Sequence, residues 1–130
     1  MQATYAPEAD GQPDPGEVVW AWVPYEDDPT QGKDRPVLLL AREGDLWLAL
    51  PMTSKDHDRD AAQEASVGRH WMDVGTGPWD HRGRASEVRL DRLLRLPASA
   101  VRREGAAINA DLFAAVITAA APYLTPATPA

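Results

Sequence analysis

The sequence predicts a mainly β domain, a small barrel closed by one C-terminal helix. Three observations carry that expectation. About five short apolar runs with strand character follow one another between residues 17 and 96, polar or Gly/Pro-bearing stretches separate them, and a run with helical spacing comes only after the last of them. At 130 residues the chain can build one hydrophobic core and not two.

Residues 1–15 (MQATYAPEADGQPDP) combine three prolines, acids and small residues, a composition with little to bury. They are expected to form a disordered leader, removable at a cost below about 0.5 kcal/mol. Residues 16–124 make the domain, and residues 125–130 a second disordered tail.

Within the domain, Glu17 to Val23 (EVVWAWV), bounded by Gly16 and Pro24, is rich in β-branched and aromatic residues and reads as a mostly buried strand. PYEDDPTQGKD is a polar loop. Val37 to Ala41 and Leu46 to Met52 are apolar runs joined by REGD, and Gly44 can take the positive φ that a tight hairpin needs. Lys55 to Val67 is polar without apolar period, a surface excursion with at most one helical turn. Arg69 to Val74 reads as a short strand and GTGPWDHRGR as a loop. Ser86 to Leu96 (SEVRLDRLLRL) is expected to be one long amphipathic strand, bulged near its middle and with its arginines outward; a helix is the alternative. After Pro97 a short helical turn through Val101 leads to Asn109, a good N-cap for a helix ending near Pro122 whose Leu112, Phe113, Val116, Ile117 and Ala120 share a face.

Composition narrows the chemistry. The absence of cysteine excludes disulfides, thiol nucleophiles and thiolate metal sites and fits a reducing, cytoplasmic setting. No stretch approaches the run of about 18 apolar residues that a membrane span needs. The formal net charge of −7 argues against a nucleic-acid partner, but the charge is unevenly placed. Residues 1–80 hold 6 basic against 16 acidic side chains, whereas residues 82–103 hold 7 arginines against Glu87 and Asp91. An acidic body with one arginine-rich segment is compatible with RNA; the competing reading is a solvated face in a chain that prefers Arg to Lys.

The most pointed feature is Gln31-Gly32-Lys33-Asp34-Arg35-Pro36 running directly into VLLL. Proline holds the residue before it in an extended conformation, which fixes the Arg35 backbone at the mouth of a strand, and a guanidinium fork suits phosphate geometry. The competing reading is a strand-entrance arginine paired with Asp34. The second feature is the strand end Pro51-Met52-Thr53-Ser54. The hairpin register brings it near Arg35, where a hydroxyl can bond a phosphoryl oxygen as charge develops; the bland alternative is a turn-forming hydroxyl pair.

Three histidines offer weaker leads. Asp56-His57-Asp58 and Asp60 have no scaffold or second ligand pair, so no metal site is expected. His81 beside Asp80 reads as an exposed loop residue rather than an acid or base. The five tryptophans divide into core (Trp20, Trp22, Trp47) and semi-exposed (Trp71, Trp79), and Trp79 is a candidate for stacking on a base.

The succession GEVVW, QGKDRPVLLL, LALPMTS and SEVRLDRLLRL resembles the MazF/PemK family of toxin-antitoxin endoribonucleases. The resemblance implies an SH3-like barrel of the MazF/PemK/CcdB kind, usually a homodimer with a cognate antitoxin, that cuts single-stranded RNA without cofactor or metal through attack of the RNA's own 2′-hydroxyl. The catalytic arginine and threonine would fall on Arg35 and Thr53. Gln31, Lys33, Ser54, Trp79, Arg82 and Arg84 are the expected substrate-binding residues. Departures from the family are the acidic surface, Asp34 beside Arg35 and the long 55–84 connection. A catalytically silent binding module of the same fold, or an inhibitor of a protein target, is the rival class, favoured by the acidic surface.

Overall fold

A computed structural model describes residues 3, 5–6, 14–54, 70–80, 82–102 and 106–124. Among the described residues, seven strands and one 3-10 turn (Ala98–Ala100, the short helical turn expected after Pro97) precede one α-helix: β1 (Glu17–Pro24), β2 (Gly32–Glu43), β3 (Leu46–Thr53), β4 (Trp71–Gly75), β5 (Ser86–Arg89), β6 (Leu94–Pro97), β7 (Ala106–Ala107) and α1 (Ala110–Leu124). They form a curled antiparallel sheet, a half-barrel, in the order β4-β5-β3-β2-β1-β7, with β6 also paired to β3. The expected surface excursion from Lys55, His57, His81 and the tail at 125–130 lie outside the described residues.

The central strands are buried on both faces, which is why they read as unbroken apolar runs. Val18, Leu38, Leu40, Leu50, Met52 and Val88 pack beneath Phe113, Val116 and Ala120 of α1. Val19, Ala21, Val23, Val37, Leu39, Trp47 and Ala49 pack with Leu94 and Leu96 on the opposite face. The two sets alternate along each strand as the pleat requires. Gly44, at φ 61°, makes the β2–β3 turn as anticipated. The Asn109 side chain caps α1 by accepting from the Leu112 N–H at 2.7 Å, and α1 carries Pro122 in its last turn.

Four expectations need correction. The polar loop before Arg35 is shorter than expected: β2 already begins at Gly32, which pairs with Pro24, so Arg35 lies inside a strand opposite Ala21 rather than at its mouth. A side chain at Gly32 would collide with the Val23 carbonyl, so glycine permits this close approach. The stretch 86–96 is two strands, broken at Leu90–Leu93: β5 pairs with the end of β3 and β6 with its beginning. Its arginines do not all point outward, because Arg89 is buried among carboxylates that neutralise it. Finally, Tyr5 departs from the expectation of an unpacked leader: its hydroxyl donates to the Ile108 carbonyl at 2.6 Å and its ring lies 5.4 Å from that of Phe113.

Candidate functional site

The sheet opens where β2 and β3 part company. Their last rung is Val37 with Pro51; beyond it β3 turns to β5, pairing Met52 with Val88 and Thr53 with Glu87. Pro36 and Pro51 supply no N–H at this point, so the ladder lacks donors where the strands diverge. The gap is a cleft of about 270 Å³ lined by Trp20, Lys33, Asp34, Arg35, Pro36, Met52, Thr53, Ser54, Trp79, Asp80, Arg84 and Ser86. Arg35 and Thr53, the two residues singled out as catalytic, both line this opening.

One loop builds the far wall. The Trp20 indole N–H donates to the Trp79 carbonyl at 3.0 Å, and the Trp79 indole N–H donates to Ser86 Oγ at 3.0 Å. A side chain at Gly77 would run into the Trp79 ring, so the loop depends on glycine there. Asp80 accepts from the Arg82 N–H and from Arg84 Nε, both at 2.9 Å. These bonds, the backbone one first, hold the Asp80 carboxyl below its usual range.

Arg35 is half-buried, and its Nε is buried with no hydrogen-bond partner among the described residues. Burial pushes its pKa down, the nearby Arg89 charge adds to that, and Tyr25 opposes it; an arginine so placed is still protonated at neutral pH. Asp34 does not neutralise it. Neighbours in a strand point to opposite faces, and Asp34 pairs instead with Arg102 at 2.9 Å.

A second cluster lies behind Arg35. Arg89 donates to both oxygens of Glu26 at 2.9 and 3.0 Å and to both of Asp91 at 3.1 and 3.0 Å. Burial works against the Arg89 charge, but the Asp91 and Glu26 bonds outweigh it and raise its pKa. Arg92 donates to the Pro24 carbonyl at 2.7 Å; burial first, then the Arg89 and Arg35 charges, lower its pKa against the pull of Glu26. Arg89 and Arg92 together fasten the β1–β2 loop to the β5–β6 turn.

The cleft therefore brings together Arg35, Thr53, Lys33, Ser54, Trp79 and Arg84, and leaves two expected residues outside its lining. Gln31 is exposed in a turn, its N–H bonded to the Asp28 carbonyl at 3.0 Å. Arg82 is exposed and meets Asp80 through its backbone. Trp79 is buried rather than semi-exposed, so it forms the cleft wall and offers no free stacking face. Trp22, assigned to the core, is 51% exposed. The sequence reading missed the cleft roles of Trp20, Asp34, Asp80 and Ser86; alternation along β1 and β2 was the signal available for Trp20 and Asp34.

A family model described as "PemK-like, MazF-like toxin of type II toxin-antitoxin system" matches residues 14–124. The chain belongs to this family. Among solved structures, the "Crystal structure of MazE-MazF (Form-II) from Deinococcus radiodurans" is similar at 24% identity and a TM-score of 0.55, covering 86% of this chain and 95% of that one. That likeness establishes the shared fold. No curated protein matches the chain in sequence. Membership in the PemK/MazF family agrees with the half-barrel and its terminal helix, and no helix among the described residues is long and apolar enough to cross a membrane.

Proposed function

We propose that this PemK/MazF-family chain is a cytoplasmic endoribonuclease that cuts single-stranded RNA. The observation that carries the reading is the Arg35 guanidinium: a cation in the wall of a cleft that Thr53 also lines, with a buried N–H that has no acceptor among the described residues. Such a donor is desolvated in advance and gains its partner when a phosphate enters.

The chemistry requires no group beyond the RNA and these side chains. The 2′-oxygen forms a bond to the adjacent phosphorus and the bond from phosphorus to the 5′-oxygen breaks, giving a cyclic phosphate and a free 5′-hydroxyl. The net proton movement is from the 2′-oxygen to the 5′-oxygen. Arg35 stabilises the charge that grows on the pentacoordinate phosphorus, and Thr53 donates to a nonbridging oxygen. Lys33, Ser54 and Arg84 position the strand from the cleft wall; Gln31 and Arg82, off the wall, act on flanking nucleotides. Arginine is a poor neutral base, so charge stabilisation is the role assigned to it.

The partners proposed are single-stranded RNA, a second copy of the chain and a cognate antitoxin; the similar MazE-MazF structure and membership in a family of type II toxin-antitoxin toxins support the last. Among the described residues the large exposed hydrophobics are Trp22 and Tyr123, so the homodimer rests on family resemblance rather than on bare apolar area. The test is incubation of purified protein with a long RNA in excess EDTA, followed by mapping of the cut ends. Cyclic-phosphate ends from wild type, lost in Arg35→Ala, are expected. Undiminished cleavage by folded Arg35→Ala removes Arg35 from the mechanism, and intact RNA with wild type favours the binding module.

A further inference from the structure

Three cations at one end of the β1–β2 ladder have no carboxylate partner among the described residues: Arg35, Lys33 and Arg92. Elsewhere Arg84, Arg89, Arg95 and Arg102 are each held by an acid. Arg35 and Lys33 stand opposite Ala21 and Val23 and, two residues apart on one strand, share a face. Arg92 arrives from the turn between β5 and β6 and donates to the Pro24 carbonyl at 2.7 Å. Pro24 directly follows the Val23 rung and lies about 10 Å along β1 from the Ala21 rung, within the combined reach of two arginine side chains. The register and the Pro24 bond therefore set the cations in a row, Arg35, Lys33, Arg92, running from the cleft towards the β1–β2 loop.

The charge in this row is not balanced by its surroundings. Arg35 and Arg92 are both half-buried. The carboxylates of Glu26 and Asp91 lie beside them, but Arg89 takes both, with hydrogen bonds of 2.9 and 3.0 Å to one and 3.1 and 3.0 Å to the other. Three guanidinia thus share two carboxylates, which leaves a positive charge in excess before Lys33 is counted. Burial and the Arg89 charge both work against Arg35 and Arg92, and the Arg35 charge works against Arg92 as well. Such an arrangement costs the free protein, and an entering anion relieves it. Arg92 has donors to spare: a guanidinium carries five N–H groups, and the bond to Pro24 orients the fork while leaving the others for a ligand. A row of cations matches a ligand that repeats its negative charge, and the backbone of a single strand carries one phosphate per nucleotide.

We propose that Arg92 binds the phosphate next to the scissile one, so that Arg35, Lys33 and Arg92 form a track for an RNA strand leaving the cleft along the β1–β2 edge. This rests on the ribonuclease reading above. It adds a contact outside the cleft lining and a direction for the strand. Arg92 is a positioning residue and takes no part in the bond changes.

The experiment measures binding of a short single-stranded RNA, 2′-O-methylated against cleavage, across a salt series with wild type, Arg92→Gln and Arg92→Lys. The same RNA is also made with one neutral methylphosphonate linkage at each position in turn, and cleavage of unmodified RNA is followed in parallel. Arg92→Gln keeps a donor for the Pro24 carbonyl and loses the charge. It is expected to weaken binding by about 10- to 100-fold, with the loss in cleavage falling on KM more than on kcat. The dependence of log affinity on log salt should become less steep by about 0.7, the share of one phosphate contact on a single strand. Arg92→Lys keeps the charge and should keep the slope. The methylphosphonate beside the cut site should weaken wild type and leave Arg92→Gln unaffected, because both changes remove the same contact. An unchanged slope in folded Arg92→Gln, or equal sensitivity of the two proteins at every linkage, overturns the proposal, and cleavage by wild type then leaves the ribonuclease reading intact. If Arg92→Gln does not fold, Arg92→Lys, which lacks the fork, takes its place in the linkage scan: a smaller loss than that of wild type at one linkage upholds the contact, and equal losses overturn it. Absence of cleavage by wild type removes the ribonuclease reading, and the uncut strand still decides: an Arg92-dependent slope upholds the phosphate contact, and no binding or an unaltered slope overturns it.

Discussion

Arg89 is the side chain whose removal should unfold the most structure for the least change in shape. It is 9% exposed and joins Asp91, 11% exposed, to Glu26, 51% exposed. Arg89→Met keeps the length and apolar stem but strands the Asp91 carboxylate in a poorly hydrated site, with the His70 N–H at 2.8 Å as its remaining donor among the bonds described. Breaking a buried pair in this way costs about 3–5 kcal/mol, whereas the half-exposed Glu26 adds no more than about 1 kcal/mol. At roughly 4 °C per kcal/mol for a domain of this length, the melting temperature should fall by about 12–20 °C. Urea denaturation of wild type, Arg89→Met and Arg89→Met/Asp91→Leu measures it, and the double variant should recover much of the loss because no lone charge remains. The pH dependence supplies a second check. Burial pushes the Asp91 carboxyl up, but the Arg89 bond and the His70 N–H outweigh it and hold the pKa low; the Arg89 bond likewise lowers that of Glu26. A depressed folded pKa gives stability that is present above the ordinary carboxylate range, about 4, and is lost as pH falls through the depressed value. The gap between wild type and Arg89→Met should narrow over that acidic window. A single variant within about 0.5 kcal/mol of wild type, or a double variant no better than the single, refutes the reasoning.

Other consequences are tested more simply. Replacing Arg35 by Ala or by Lys, which loses the fork, should slow RNA cleavage by about 10²–10³ with the circular dichroism spectrum unchanged, and Thr53→Ala should cost about tenfold, one hydrogen bond. Tyr5→Ala removes the ring from Phe113 and the bond to Ile108, so urea denaturation should show a loss of about 2 kcal/mol; an unchanged midpoint would restore the view of the leader as dispensable. Gly77→Ala drives a methyl group into the Trp79 ring and should destabilise by about 1–3 kcal/mol, with the Trp79 fluorescence shifted as the ring leaves its site.

The fold was legible because strands buried on both faces announce themselves as apolar runs, and EVVWAWV, VLLLA and LWLALPM supply three of them. The capped helix was legible because Asn109 and the Phe113, Val116, Ala120 spacing are local signals. What escaped was non-local. Arg89 reads as an outward strand residue until Glu26, 63 residues away, reaches it. The exchange of Trp22 and Trp79 has the same origin. A tryptophan in an apolar strand reads as core and one in a Gly-rich loop as surface, but the cover over β1 ends at the cleft while the loop folds back onto Trp20 and Ser86. Asp34 was the avoidable miss, since strand alternation alone separates it from Arg35.

That separation also resolves the conflict between an acidic chain and the anionic substrate proposed for it. Phosphate affinity depends on the local field rather than on net charge, and buried sites are screened less than exposed ones. The two acids lining the cleft each hold an arginine, Asp34 with Arg102 and Asp80 with Arg84, so neither is an open negative charge beside Arg35. The arginine-rich segment is engaged in the same way: Arg89 with Glu26 and Asp91, Arg95 with Glu43 at 3.5 Å, and Arg92 on a backbone carbonyl. Arg89 and Arg92 in its middle hold loops in place, and the proposed RNA contacts fall to Arg82 and Arg84 at its start and to the remaining donors of Arg92. Among the described residues Arg35 is a cation with a buried donor lacking an acceptor, so on the proposed reading a phosphate meets it without first displacing a carboxylate.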